Sequence, residues 1–248
     1  GKVALVTGAN SGIGKAACEA LAADGAVVVG LDINPAVVSE LNRNGMSGIV
    51  CDLTDSKSVA AAVNQVITRY GGLDIVVCNA GIFKSGERIA DHTEHTWDQT
   101  IAINLTATQR FMTATIPYLK LGVNPSLLVV GSRNFAAPGP GAAAYSVSKA
   151  GITQLARVAA LELAADGIRV NVVHPDAVFD TALWTEDALA RSASRYGLSV
   201  EEYKTKNLLG KEIRAADVGR LLSALASDIF GATTGAQIPI DGGSDRVI

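Results

Sequence analysis

A chain of 248 residues, 48% hydrophobic and 18% charged, is long enough to bury a sizeable core and too apolar to remain disordered. Its net charge of −3, with no basic stripe, excludes a nucleic-acid surface. No apolar run reaches the ~18 residues that a bilayer-spanning helix needs, so the expectation is a cytoplasmic protein without a membrane partner.

In chain order, short β-branched runs alternate with helical patterns. VALVT (3–7) leads through glycines into a helix at 12–23, and AVVVGLD (26–32) into a helix at 35–43. GIVCD (48–52) precedes a helix at 56–70, and LDIVVCN (73–79) precedes one long helix at 96–120. SLLVVGS (126–132), a helix at 145–165, IRVNVVH (168–174), a helix at 215–227 and QIPI (237–240) complete the pattern. Continuous apolar runs mark strands covered on both faces. Right-handed crossovers then give an α/β fold: a doubly wound, Rossmann-type, seven-stranded parallel sheet with helices on both faces, in a single domain. Ligands of such sheets bind at the carboxyl ends of the strands.

The polar stretch 176–212 interrupts the rhythm at that edge and is expected to be a substrate lid. Cys18, Cys51 and Cys78 lie in separate apolar stretches without a CxxC motif, as buried thiols of a reducing compartment do. The chain enters its first strand directly from Gly1, with neither a signal-peptide pattern nor an initiator Met. That start is expected of a processed chain or of a domain cut from a longer protein.

After the first strand, TGANSGIG (7–14) places Gly8, Gly12 and Gly14 where a strand turns into a helix. Gly8 allows the turn, Gly12 a close backbone approach and Gly14 the seating of the helix. The helix N-terminus then offers N–H groups to a pyrophosphate. Asp32 ends the second strand, where a carboxylate accepts from adenosine ribose hydroxyls and repels a 2′-phosphate. No Arg or Lys stands at 9–14 or 33–36, so the expected cofactor is NAD. Asp52 follows the third strand, toward the adenine edge. Asn79, Ala80 and Gly81 follow the fourth, with small residues suited to backbone running beside a ligand.

Tyr145 and Lys149 stand four positions apart in AAAYSVSKAG, on one helix face. Phenol and ammonium both titrate near ~10 when free, so neither is a ready acid or base alone. Together, a cation beside a phenol stabilises phenolate. Ser132 ends a neighbouring strand, where its hydroxyl can converge on the same point.

TGANSGIG, Asp32, CDLTD (51–55), NAG (79–81), IAINLTA (101–107), VVGS (129–132), YSVSK (145–149), RVNVVHP (169–175) and TGAQIPIDGG (234–243) occur in an order and spacing that resemble the short-chain dehydrogenase/reductase family along the whole chain. The resemblance implies four catalytic positions: Asn104, Ser132, Tyr145 and Lys149. Tyr145 would pass the proton to or from the substrate oxygen, and Ser132 would hold that oxygen. Lys149 would bind the nicotinamide ribose and lower the Tyr145 pKa, and Asn104 would hold a relay water. The implied NAD contacts are Gly8, Asn10, Ser11, Gly12, Ile13, Gly14, Asp32, Ile33, Asp52, Leu53, Asn79, Ala80, Gly81, Tyr145, Lys149, Pro175, Val178 and Thr181.

Two departures stand out. Asp176 replaces the family's Gly after Pro175, and Thr181 comes one residue late. Arg133 and Asn134 follow Ser132 where small residues are common, and a cation there favours a polar or anionic substrate. His174 precedes Pro175 and could line the site without acting as the base. DHTEHTW (91–97) carries His92 and His95 with Asp91 and Glu94, but it has no third fixed ligand and reads as a helix start rather than a metal site. Trp184 and Tyr203 either close over substrate or pack the lid.

The expected substrate is a small polar alcohol or carbonyl: a polyol, a sugar or a hydroxyaldehyde such as lactaldehyde. GSRNFAAPGPGAAAYS, HPDAVFDTALW and YKTKNLLGKEI resemble the dehydrogenase half of bifunctional rhamnulose-phosphate aldolase/short-chain dehydrogenases. A 3-oxoacyl carrier-protein reductase is the alternative, with Asp32 against its usual NADPH. A non-catalytic NAD-sensing regulator is a third reading, opposed by the full catalytic set. The resemblance also implies a homo-oligomer, a tetramer or dimer through the helices at 96–120 and 145–165, with the Ala-rich face of 150–165 at the contact.

Overall fold

The computed structural model describes residues 1–43, 45–84 and 86–244. The chain runs β1 (Val3–Thr7), α1 (Gly12–Ala23), β2 (Val27–Asp32), α2 (Val37–Glu40), β3 (Met46–Val50), α3 (Ser56–Tyr70) and β4 (Ile75–Cys78). It continues with α4 (Glu94–Ile101), a π turn (Ala102–Thr106), α5 (Ala107–Leu119), β5 (Ser126–Val130) and α6 (Ala143–Leu163). After β6 (Arg169–Pro175) come α7 (Glu186–Arg195), α8 (Val200–Lys204), α9 (Ala215–Ala226) and β7 (Gln237–Ile240). All strand pairs are parallel, in the order β3-β2-β1-β4-β5-β6-β7, so the sheet reverses its winding between β1 and β4.

The apolar runs divide residue by residue between two cores. Val3 and Leu5 of β1, with Leu127 and Val129 of β5, face the layer of α3, α5 and α6. Ala4 and Val6, with Leu128 and Val130, face the layer of α1 and α9. A strand buried on both sides has no polar position to alternate with. Truncating a fully buried leucine such as Leu5 or Leu127 to Ala removes its contacts and leaves a cavity, at about 2–5 kcal/mol.

Several boundaries differ from the sequence expectation, three of them for a visible reason. β3 pairs with β2 from Val28↔Met46 to Asp32↔Val50, so it starts two residues early and ends where its partner ends, before Cys51 and Asp52. The second helix shrinks to Val37–Glu40, because Arg43 N–H turns back to Leu41 O and the chain enters β3. The long helix is broken at Ala102–Thr106, where the side chain of Asn104 turns inward to the loop after β4. The Ala-rich stretch of α6 also differs: Ala156, Ala159 and Ala160 face the sheet, and the exposed apolar residues of this helix are Val147, Val158 and Leu161. Among the described residues no helix is long and apolar enough to cross a membrane. The three cysteines are buried and unpaired, and burial pushes the Cys18 and Cys78 thiols up to about 12.

Residues 176–212 lie over the carboxyl edge of β5 and β6 and carry α7 and α8. Phe179, Tyr203 and Ala193 form their own small core, against which Trp184 and Leu198 pack.

Candidate active site

The sheet order brings the cofactor candidates to one edge. Gly8 follows β1, Asp32 ends β2, Asp52 and Leu53 follow β3, and Asn79–Gly81 follow β4, on four neighbouring strands. Gly14 sits directly on the turn, where a Cβ would stand 2.0 Å from Gly8 O. Gly12 (φ +53°) faces Thr181, whose methyl would be 3.2 Å from a Cβ there. Thr181 is held in place by donating its hydroxyl to Val178 O at 2.8 Å.

This edge fits a pyrophosphate-bearing cofactor. Ser11 precedes α1 without capping it by its side chain, which leaves the first-turn N–H groups of Gly12, Ile13 and Gly14 to an external acceptor. Beside them the buried Oδ1 of Asn10 has no partner among the described residues. Asp32 is aimed by its own backbone surroundings: Oδ2 accepts from Asn10 N–H at 3.0 Å and Oδ1 from Asn34 N–H at 2.9 Å. Each oxygen keeps a lone pair for a ribose hydroxyl. Ile33 is exposed beside it.

Other expected contacts are already engaged within the chain. Asn79 donates its amide to Thr7 O (2.9 Å) and Gly8 O (3.3 Å), bracing the glycine turn. Asp52 Oδ1 accepts from both the N–H and the hydroxyl of Thr54, at 2.8 and 2.7 Å. Leu53 packs partly into the core, and Val178 is buried in it. Pro175 closes β6 at the same edge.

The four catalytic candidates converge from three elements. Ser132 lies just past β5, Tyr145 and Lys149 lie on α6, and Asn104 lies in the π turn, a feature that recurs at functional sites. Ser132 is the one neighbour that lowers the pKa of the Tyr145 phenol, and both residues line the same cavity. Lys149 is buried, 5.7 Å from the centre of the Tyr145 ring, and donates Nζ to Val130 O at 2.8 Å. Asn104 is 1% exposed and fully engaged as a donor, to Ile82 O at 2.9 Å and Ser148 Oγ at 3.1 Å. Its Oδ1 accepts from Ile82 N–H at 2.8 Å. The side chain thereby ties the loop after β4 to α6.

Burial sets the electrostatics of the pair. The Tyr145 phenol is pushed up, not down: burial raises its pKa, and only the bond to Ser132 opposes this. Burial also lowers Lys149 from its ordinary 10.5 to about 8, and its ammonium is turned to Val130 O. In this arrangement the cation does not pull the phenol down.

A cavity of about 820 Å³ opens onto Ser132 and Tyr145, within the size range of small-ligand sites. Sequence reasoning missed several features in and around it. Phe83 meets the Tyr145 ring edge-on at 4.6 Å. Phe135 stacks on His174 at 4.0 Å, and His174 Nε2 lies 2.7 Å from Gln237 Oε1. Arg191, Arg195, Tyr196 and Lys206 line the outer wall. An aromatic in a loop or a cation on a polar helix carries no sequence signal of what it faces. Arg133 pairs with Asp176 at 3.2 Å, beside the cavity, and also donates to Ser244 Oγ. Trp184 and Tyr203 pack against each other within 176–212 and also line the cavity. His92 lies 3.8 Å from Glu87 and edge-on to Trp97.

Comparison with known proteins agrees with this geometry. The family model described as enoyl-(acyl carrier protein) reductase matches residues 8–245. An uncharacterized oxidoreductase of Bacillus subtilis, YuxG, is 34% identical over 259 residues, covering 98% of this chain but only 37% of that protein. The 3-oxoacyl-[acyl-carrier-protein] reductase FabG of Thermotoga maritima is 33% identical over 98% of this chain and 97% of its own length. The crystal structure of a dehydrogenase/reductase from Sinorhizobium meliloti superposes with a TM-score of 0.86 at 30% identity, over 99% of this chain and 95% of that one. With a family model matching nearly the whole chain, relatives above 30% identity over 98% of it and a near-complete structural superposition, the chain belongs to the short-chain dehydrogenase/reductase family of nicotinamide-dependent oxidoreductases.

Proposed function

We propose that this chain interconverts a small polar alcohol and its carbonyl compound with NAD, the substrate being a polyol, a sugar or a hydroxyaldehyde such as lactaldehyde. The observation that carries this reading is that Ser132 and Tyr145 line one ligand-sized cavity, with the Lys149 ammonium buried 5.7 Å from the centre of the Tyr145 ring. When bound, the cofactor supplies the hydride acceptor in oxidation and the donor in reduction.

The chain's residues move the proton and hold the reactants. Ser132 Oγ donates to the substrate oxygen, and Tyr145 takes the hydroxyl proton in oxidation or returns it in reduction. Since burial holds the phenol up, a nearby positive charge is needed to bring it into range. Lys149 is the buried cation beside the Tyr145 ring, and its ammonium has two donors beyond the one given to Val130 O, enough for a ribose hydroxyl on the Tyr145 side. A relay water would sit on an oxygen of Asn104, whose amide protons are both donated within the chain. Asp32 would hold the adenosine ribose and repel a 2′-phosphate, which favours NAD. Gly8 to Gly14, Asp52, Asn79 to Gly81, Pro175, Val178 and Thr181 would line the rest of the cofactor, and 176–212 would cover the substrate.

The test is NADH formation over a panel of polyols, lactaldehyde and short diols. Tyr145→Phe is expected to lower turnover by about 10²–10⁴-fold while NADH binding, read by fluorescence, persists. Turnover that survives this change sinks the mechanism. NADH binding without turnover on any substrate favours an NAD-sensing role. A second reading, reduction of a 3-oxoacyl group on a carrier protein, draws support from the name of the Thermotoga relative, and Asp32 weighs against its usual NADPH.

We further propose that the chain is the dehydrogenase part of an aldolase-linked protein, a reading favoured by the excess length of the Bacillus relative. The mass of the natural protein tests this. Assembly into a dimer or tetramer is proposed through α5 and α6, where Val147, Val158 and Leu161 are exposed, and a monomer in light scattering would contradict it.

A further inference from the structure

We infer that Arg191 and Arg195 form an oxyanion subsite in the outer wall of the cavity, so that the preferred substrate carries a carboxylate or phosphate group besides its reacting carbinol or carbonyl. The inference rests on the oxidoreductase reading above and adds the substrate's charge to it.

The two arginines lie four positions apart on α7, hence on one face of that helix, and both line the cavity that opens onto Ser132 and Tyr145. The cavity wall is otherwise balanced. Its two carboxylates are engaged: Asp176 with Arg133, and Glu87 with the N–H of Thr93 and the hydroxyl of Thr96. Two further cations are also matched, Lys84 to Gln99 and Lys206 over the rings of Tyr196 and Tyr203, at 4.3 and 4.9 Å. Arg191 and Arg195 form no ion pair or hydrogen bond among the described residues. The acids of the same helix, Glu186 and Asp187, sit in its first turn and do not line the cavity.

Two guanidiniums facing one cavity repel each other and gain nothing from a neutral polyol. An oxyanion between them makes charge-assisted, forked hydrogen bonds. One continuous cavity joins the reacting end to this wall.

The experiment compares glycerol, glycerate and glycerol 3-phosphate as substrates of the wild-type chain and of the Arg191→Gln/Arg195→Gln variant. In the wild type, kcat/KM for at least one anionic probe is expected to exceed that for glycerol ten-fold or more, mainly through KM, and to fall as salt is added. The double variant is expected to reduce that ratio at least ten-fold. Preference for glycerate identifies a carboxylate, and preference for glycerol 3-phosphate a phosphate. Equal use of the neutral and anionic probes, or a preference the variant does not move, overturns the subsite. So does turnover confined to a carrier-protein thioester. If no probe is turned over, the catalytic reading fails on this panel and calorimetry decides the subsite separately. Malonate or inorganic phosphate binding that the double variant weakens ten-fold sustains it, and binding that is absent or unaltered overturns it.

Discussion

The main-chain nitrogen of Ser132 lies 3.2 Å from Nδ1 of His174. The other ring nitrogen, Nε2, meets Gln237 Oε1, and the Gln237 amide is oriented by its bond to Gly235 O. Nδ1 lies 3.2 Å from Ser132 O as well, so the imidazole, held at Nε2 by Gln237, braces both main-chain groups of the residue whose hydroxyl is proposed to hold the substrate oxygen. In the proposed mechanism His174 is a positioning residue.

His174→Ala is expected to lower kcat about ten-fold and to destabilise the fold by about 2–4 kcal/mol, through the lost hydrogen bonds and the cavity left beneath Phe135. His174→Asn, which keeps a polar group able to meet the Ser132 main chain near the position of Nδ1, should recover much of kcat. Burial pushes the His174 pKa below its usual 6.5, more than its hydrogen bonds to Gln237 and Ser132 raise it. The unfolded chain therefore binds this proton at a higher pH than the folded one. The associated stability is complete above about 6.5 and is lost as pH falls toward the folded-state value. Thermal melts between pH 5 and 8 should show that slope in the wild type and a shallower one in His174→Asn. Parallel slopes would rule it out.

Ser132→Ala removes the one hydrogen bond that draws the Tyr145 pKa down. The ascending limb of kcat/KM for alcohol oxidation, which follows deprotonation of the phenol, should therefore move to higher pH, and kcat at neutral pH should fall about 10²–10³-fold. The pH profile separates this from a simple loss of fit, which would lower the curve without moving its limb.

Asp32→Ser takes away the carboxylate that accepts from Asn10 and Asn34. The KM for NAD should rise at least ten-fold, and the discrimination against NADP should shrink by a similar factor. An unchanged NAD/NADP ratio of kcat/KM would remove Asp32 from cofactor selection.

Gly14→Ala places a Cβ 2.0 Å from Gly8 O, a contact that only a shift of α1 against β1 can relieve. A loss of at least about 2 kcal/mol is expected, together with loss of NADH binding. Gly72→Ala, where a Cβ meets nothing within 4 Å, serves as the control and should leave the melting temperature within a degree or two.

Much of the fold is legible along the chain because both faces of every inner strand are buried. An apolar run such as Leu127–Val130 then needs no partner information to be recognised. The π turn at Asn104 was not legible. Its cause is a pair of hydrogen bonds to Ile82, more than twenty residues away, and nothing in IAINLTA records that partner. The end of β3 was misplaced for a related reason: its length is set by where β2 stops pairing.

The sequence by itself determined which chemical groups are present and in what order: a glycine turn, an acid at the end of the second strand, and a phenol and an ammonium on one helix face. These follow from local geometry and from helical and strand periods, which act over a few residues. Tertiary structure alone decided what each group faces. It placed His174 behind Ser132, aimed the Lys149 ammonium at Val130 O and buried the Tyr145 phenol so that its pKa rises. It also turned Arg191 and Arg195 toward the cavity. Desolvation and hydrogen bonding depend on neighbours brought together by the sheet, so they exist only once the chain has folded.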